Sequence, residues 1–204
     1  MSDRAGSAQA GFVRVWLTGY VNPARMVEAL ARKPAPHWGL YGQLGRAALD
    51  SLALYLPLAL LGREPSTPSY LSFLPTVGYY AASVFFMPVF LLAQWLLLSV
   101  TVHGVLRLAG RRSDVDQILN VTGMAALVVG TALVVWDWGY ILLGGQDPVF
   151  LGISHLVLDV WAIVITAIGF RRLLGVPTWL GLLLNLLWMA LGVPLAMLLV
   201  RAPV

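Results

Sequence analysis

Long apolar runs, broken by short clusters of charge and turn residues, set the pattern of this chain. Residues 65–106 contain no Asp, Glu, Lys or Arg, and neither do residues 117–136 or 173–200. A helix needs roughly 20 apolar residues to cross a bilayer core of about 30 Å, so these runs are long enough to span. Five spans fit, at about 44–62, 77–101, 118–136, 150–170 and 179–200. The second stays apolar towards Ala109 and carries Pro88, which removes one helical hydrogen bond and predicts a kink. "REPSTPSYLSFLP" separates the first span from the second, and "DWGYILLGGQDP", with Gly144, Gly145 and Pro148 as breakers, separates the third from the fourth.

The predicted fold class is therefore all-α: a polytopic integral membrane protein with five transmembrane helices. Residues 1–43 form a cytoplasmic N-terminal segment and residues 44–204 the bundle. Composition agrees, with 59% hydrophobic residues and 11% charged where a soluble domain carries about 25%. The first 40 residues hold no uninterrupted apolar core of signal-peptide type. Zero cysteines exclude disulfides and thiolate metal sites. Twelve of the thirteen basic residues are Arg, the bias of a GC-rich bacterial genome.

Charge then sets the orientation. The N-terminal segment, the loop after span two and the loop after span four fall on one side and carry eleven basic residues. These are Arg4, Arg14, Arg25, Arg32, Lys33, Arg46, Arg107, Arg111, Arg112, Arg171 and Arg172. The other side has Arg63 and Arg201. Positive charge collects on the cytoplasmic side, so an inner-membrane protein with its N-terminus inside and C-terminus outside is expected. No internal repeat supports an inverted-repeat transporter.

In "VNPARMVEALARKPAP", Asn22 and Pro23 make a good helix start. Met26, Val27 and Leu30 then share one face, with Arg25, Glu28, Arg32 and Lys33 on the rest. This reads as a basic amphipathic helix on the cytoplasmic face, packed on the bundle in preference to binding lipid alone. The segment resembles the pre-membrane region of bacterial members of the Yip1-domain family. "LAGRRSDVDQILNVTGMA" is similar to that family's loop between spans two and three, and "VWAIVITAIGFRRLLGVPTWLGL" to its pattern across spans four and five. The resemblance covers about residue 22 to the end and implies a five-span membrane protein with no assigned catalytic activity.

Polar residues inside the spans are the visible chemistry. Asp50 and Asn185 each sit about six residues, roughly 9 Å, inside the cytoplasmic edge at 1.5 Å per residue. Gln94 and Asn120 approach the same level, Asp159 is near mid-membrane, and His155 lies one turn further out. A mid-membrane charge costs about 2.5–3.5 kcal/mol and normally faces the bundle and a partner. For Asp159 the natural partner is His155, four residues before it on the same helix face. The pair reads either as part of an interhelical polar clasp, the preferred reading, or as a proton or cation relay. His37, His103 and His155 are scattered, and no nucleophile elbow or phosphate-cradling loop occurs, so no metal, cofactor or catalytic residue is expected. His103 reads as a head-group-level residue near Arg107, and Trp136, Trp138, Tyr140 and Trp179 read as interfacial aromatics.

The expected function is a membrane-organising or protein-interaction module without enzymatic activity. The alternative is a small transporter or lipid-handling protein using the polar layer, with Arg107, Arg111, Arg112, Arg171 and Arg172 holding lipid phosphates. Expected partners are anionic membrane lipids and a membrane protein or second copy of the chain, with no nucleic acid.

Overall fold

The computed structural model describes residues 11–32, 37–68, 73–74 and 76–204. Arg4 and Lys33, two of the eleven inner-side basic residues, lie outside the described residues. Every regular element among the described residues is helical. α1 (Phe12–Val21) and α2 (Pro23–Ala31) come first. α3 (His37–Ala48) continues without a break through a π-helical segment (Leu49–Tyr55) into α4 (Leu56–Leu60). Then come α5 (Tyr79–Leu108), α6 (Val115–Leu142), α7 (Pro148–Leu174) and α8 (Thr178–Leu199). The last four are each long and apolar enough to cross a membrane, so the chain is an all-helical protein suited to a bilayer.

Local chemistry sets most of the ends. Asn22 accepts the Arg25 amide and Pro23 occupies the first position of α2. The carboxylates of Asp114 and Asp147 cap α6 and α7, each taking two amides of the first turn. Gly78 before α5 and Gly175 after α7 take left-handed backbone conformations (φ 75° and 65°) that other residues resist.

Two boundaries differ from the sequence expectation. The first apolar rod begins at His37 rather than near residue 44, because Trp38, Gly39 and Gly42 form helix ahead of the apolar run. "DWGYIL", read as the start of a loop, is helix through Leu142. Asp137 is paired inside the bundle there, so its charge does not end the helix; the turn waits for Gly144 (φ 80°).

α6 is the central post. In its most apolar stretch 67% of residues are buried, against 22% or fewer in α5, α7 and α8, and α3, α5, α7, α1 and α2 all pack on it. The closest of these contacts is with α3. A β-carbon on Gly39 would lie 2.7 Å from Asn120 Cα, one on Gly42 2.6 Å from the Gly123 carbonyl oxygen, and one on Gly123 2.7 Å from Gly39 Cα. The two backbones touch, as small-residue helix crossings in membranes allow. The pairing rises in step (39 with 120, 42 with 123, 45 with 127, 46 with 130), so α3 and α6 run parallel.

Pro57 shapes the other half of the rod. It has no amide to give to the Ala53 carbonyl, and Trp138 Nε1 donates there instead at 2.6 Å. One residue earlier, the Leu56 amide reaches back five residues to Ser51, the wide-turn bond of a π-helix. Trp138, expected as an interfacial aromatic, is thus half-buried and bonded to the rod.

At the far end, the last five residues fold back onto the rim. Tyr80 donates to the Ala202 carbonyl at 2.8 Å and the Ser66 amide to Val204 O at 2.9 Å. Arg201, counted above as an outer-surface charge, is buried. Its guanidinium donates to the carbonyls of Pro68, Met197, Leu198 and Val200, closing the end of α8.

The α3–α6 contact predicts a glycine-specific instability. Gly123→Ala must push the touching backbones apart, and overpacking of this kind costs about 1–3 kcal/mol. Gly139→Ala, on the same helix with nothing within 4 Å of its β-carbon position, should leave the melting temperature in detergent unchanged or slightly raised. Equal melting temperatures for the two variants would contradict the contact.

Candidate functional site

The four residues expected in one inner-half layer, Asp50, Gln94, Asn120 and Asn185, bond in separate pairs, as does His155, expected above them with Asp159. Asn120 of α6 accepts the Gly39 amide at the start of α3 at 2.9 Å. Asn185 of α8 accepts from Thr166 of α7 at 2.6 Å and donates to its own Gly181 carbonyl. Gln94 of α5 donates to the Gly192 carbonyl of α8 at 3.4 Å. Asp50 pairs with Arg46 one turn before it, at 2.9 Å. His155 is the main correction. Its Nε2 meets Asp137 of α6 at 2.6 Å, so its partner comes from the neighbouring helix and not from Asp159.

Two residues that sequence reasoning misses complete a charged cluster. Asp137 falls in an expected loop, and its only signal is an acid beside two tryptophans at the end of an apolar run. Arg46 is expected at the inner surface. The structure sets its side chain across Gly130, the middle of α6, where any β-carbon would collide with the guanidinium arm. Asp50 is within Coulomb range of Arg46, Asp137 and His155, and Asp159 within range of Arg46 and His155. Five ionisable groups from α3, the π segment, α6 and α7 therefore share one region of the bundle. Asp50 and Asp137 are 4% and 3% exposed, so neither reaches water along its own helix.

Along the rod, Gln43, Arg46, Asp50 and Ser51 share one face by their spacing. Each holds an atom that is buried and has no hydrogen-bond partner among the described residues: Gln43 Oε1, Arg46 Nη1, Asp50 Oδ1 and Ser51 Oγ. A second network also escapes the sequence. Trp95 Nε1 donates to Thr122 Oγ1 at 2.9 Å and Ser99 lies 3.1 Å from the same hydroxyl, joining α5 to α6.

The basic residues expected on the inner side stand apart from this cluster. Arg107, Arg111, Arg112, Arg171 and Arg172 are all exposed, at the end of α5, in the turn after it, and in the last turn of α7. Arg172 pairs with Glu28 of α2. His103 meets Ser113 at 2.9 Å, tying the end of α5 to the turn before α6. Comparison with protein families, with curated proteins and with solved structures finds no match for this chain.

The Arg46–Asp50 pair yields a test of the cluster. Removing one partner of a buried ion pair leaves an uncompensated charge and costs about 3–5 kcal/mol, whereas replacing both by apolar side chains is often neutral. Arg46→Met alone should therefore lower thermal stability in detergent sharply. Arg46→Met combined with Asp50→Leu should recover most of the loss, and a double variant worse than the single would show that the two charges do not compensate each other.

Proposed function

We propose that the chain is a five-span, Yip1-like inner-membrane protein that acts as a membrane-organising or protein-interaction module and performs no catalysis. The rod over residues 37–60 makes the fifth crossing beside α5–α8. Its parallel run with α6 supports this, since spans one and three of a serpentine chain point the same way. The exposed arginines at one end support an N-terminus inside, with that end facing anionic lipid. Loss of Arg46 to the bundle interior leaves that bias large.

One observation carries the module reading: five polar groups inside the spans are committed to interhelical bonds, with Asn120, Asn185, Gln94, His155 and Thr122 each linking a different pair of elements. Such bonds fix helices against one another. A second reading, proton or cation exchange, is favoured by the row of buried unpaired atoms on Gln43, Arg46, Asp50 and Ser51, because pathways through membranes are lined by polar groups facing inward.

The two readings separate on one pair of measurements. In the module, Asp137→Asn keeps a hydrogen bond to His155 and costs little, about 0.6 kcal/mol, while Asp137→Leu costs more because it orphans the imidazole. Proteoliposomes under a pH gradient should show no flux above lipid alone. Proton flux in the native protein that is lost in Asp137→Asn or Asp159→Asn, with thermal stability retained, would replace the module by the exchanger.

Lipid contact is read independently. Each Lys or Arg near an anionic leaflet contributes on the order of 1 kcal/mol. Replacing Arg111, Arg112 and Arg171 by Gln should reduce anionic lipid retained on the purified protein, as counted by mass spectrometry. Unchanged retention would limit these arginines to setting topology.

A further inference from the structure

α1 and α2 form an antiparallel pair whose position along the bundle is fixed by three contacts. Phe12, at the start of α1, packs edge-on against Trp38 and Tyr41 of α3, beside the lower end of the α3–α6 crossing. Seven residues later, a β-carbon on Gly19 would meet Val128 of α6 and Met26 of α2, and Trp161 of α7 donates its indole N–H to the Gly19 carbonyl at 3.1 Å. Val128 and Trp161 are the midpoints of their helices. α2 then returns, and Glu28 pairs with Arg172 in the last turn of α7. The hairpin thus climbs half the height of the bundle, turns, and comes back.

Its surfaces suit lipid on the rising arm and the bundle on the inside. Val15, Met26, Val27 and Leu30 are buried against α6 and Ile165 of α7. Val13, Leu17 and Val21, four residues apart on one face, are 58%, 53% and 84% exposed. Several polar groups of the turn are met within it. The Asn22 amide donates to Thr18 O at 2.8 Å, Asn22 accepts the Arg25 amide on its side chain and backbone, and Pro23 brings no amide at all. Thr18 returns its hydroxyl to Arg14 O at 2.7 Å. A turn in hydrocarbon has no water to satisfy its backbone, so it must satisfy itself and its neighbours must help; here Trp161 does. Of the exposed polar residues of α2, Glu28 and Arg32 lie towards the head-group end of the returning arm, and Arg25 sits in its first turn, where its long stem carries the charge back towards that end.

We propose that α1–α2 is a re-entrant hairpin that enters the leaflet on the N-terminal side, turns near mid-bilayer, and is covered on its Val13–Leu17–Val21 face by lipid acyl chains. It displaces lipid in that leaflet and not in the other, which makes the chain a wedge. The wedge rests on the membrane-organising reading above and names its physical means; the insertion rests on the geometry alone. The amphipathic helix read from the sequence becomes the returning arm of this hairpin and not a helix flat on the surface.

The chain has no cysteine, so single Cys replacements of Val13, Leu17 and Val21 in the full-length protein can each carry one nitroxide in vesicles of phosphatidylcholine and phosphatidylglycerol. The ratio of oxygen to nickel-chelate accessibility should rise from 13 to 17 to 21, with 21 level with a label at Val157 of α7. A label at 21 as open to the chelate as one at Arg63 would overturn the hairpin. Rising depth with Val13 reached from the outer face of intact cells would uphold insertion and overturn the orientation. For the wedge, native protein should yield smaller vesicles at equal protein-to-lipid ratio than Leu17→Asn combined with Val21→Asn, whose buried face is untouched. Equal radii with the depth gradient intact would overturn the wedge and leave the insertion standing.

Discussion

The contact of α3 on α6 is the constraint from which the interior follows. Gly39, Gly42 and Gly123 let two backbones meet, and three other features need that proximity. Asn120 is near enough to take the Gly39 amide. Gly130 leaves a groove into which Arg46 lies. The rod beyond Arg46 is then held along α6 as far as Trp138, which closes the carbonyl that Pro57 leaves open. Side chains of ordinary size at the three glycines would separate the helices by several ångströms and end all three contacts together.

A second constraint is the solvent. In hydrocarbon an unpaired polar group costs several kcal/mol, and lipid offers no replacement for water. The bundle answers largely by pairing: Thr166 with Asn185, Thr122 with Trp95 and Ser99, and Asp137 with His155 across helices, and Arg201 with Pro68 O and three carbonyls at the end of its own helix. Gln43, Arg46, Asp50 and Ser51 each keep a buried atom unpaired among the described residues. The same need explains why the apolar helices α7 and α8 turn so much leucine and valine outward. Lipid welcomes those side chains as readily as the core does, so burial goes first to polar and small residues.

Much of this is legible in the sequence. Four of the five expected spans fall on α5–α8, six or seven residues short at the ends of α5 and α6 and within four elsewhere, since apolar runs of that length have few other structures open to them. Asn22–Pro23 marks a helix start. What the sequence hides is pairing. Asp159 and His155 look like natural partners because helical spacing is visible in a string of letters, whereas the approach of α6 to α7 that gives His155 to Asp137 is not. Arg46 reads as a surface charge for the same reason: its groove is made by a glycine 84 positions later. Asp137 is lost because an acid next to Gly, Tyr and Trp resembles a loop when its partner is out of sight. The hairpin escapes notice because α1, at ten residues, is too short to register as membrane-buried by length.

The π-helical turn in the rod follows from the spacing of its buried positions. Its buried positions fall at Gly39, Gly42 and Gln43, Ala47, Asp50 and Ser51, Leu54 and Tyr55, and Leu58, a repeat close to four residues. An α-helix turns once in 3.6 residues, so this repeat of about 3.8 residues drifts about 20° forward each turn and would, over five turns, rotate by about 100° from the face of α6 towards lipid. A π segment takes more residues per turn and recovers that drift. The wide turn falls between the glycine contact and Pro57, and it keeps Asp50 and Ser51 on the same inward face as Leu54 and Leu58. Proline alone explains a missing amide; the long repeat explains why the rod unwinds before it rather than kinking at it.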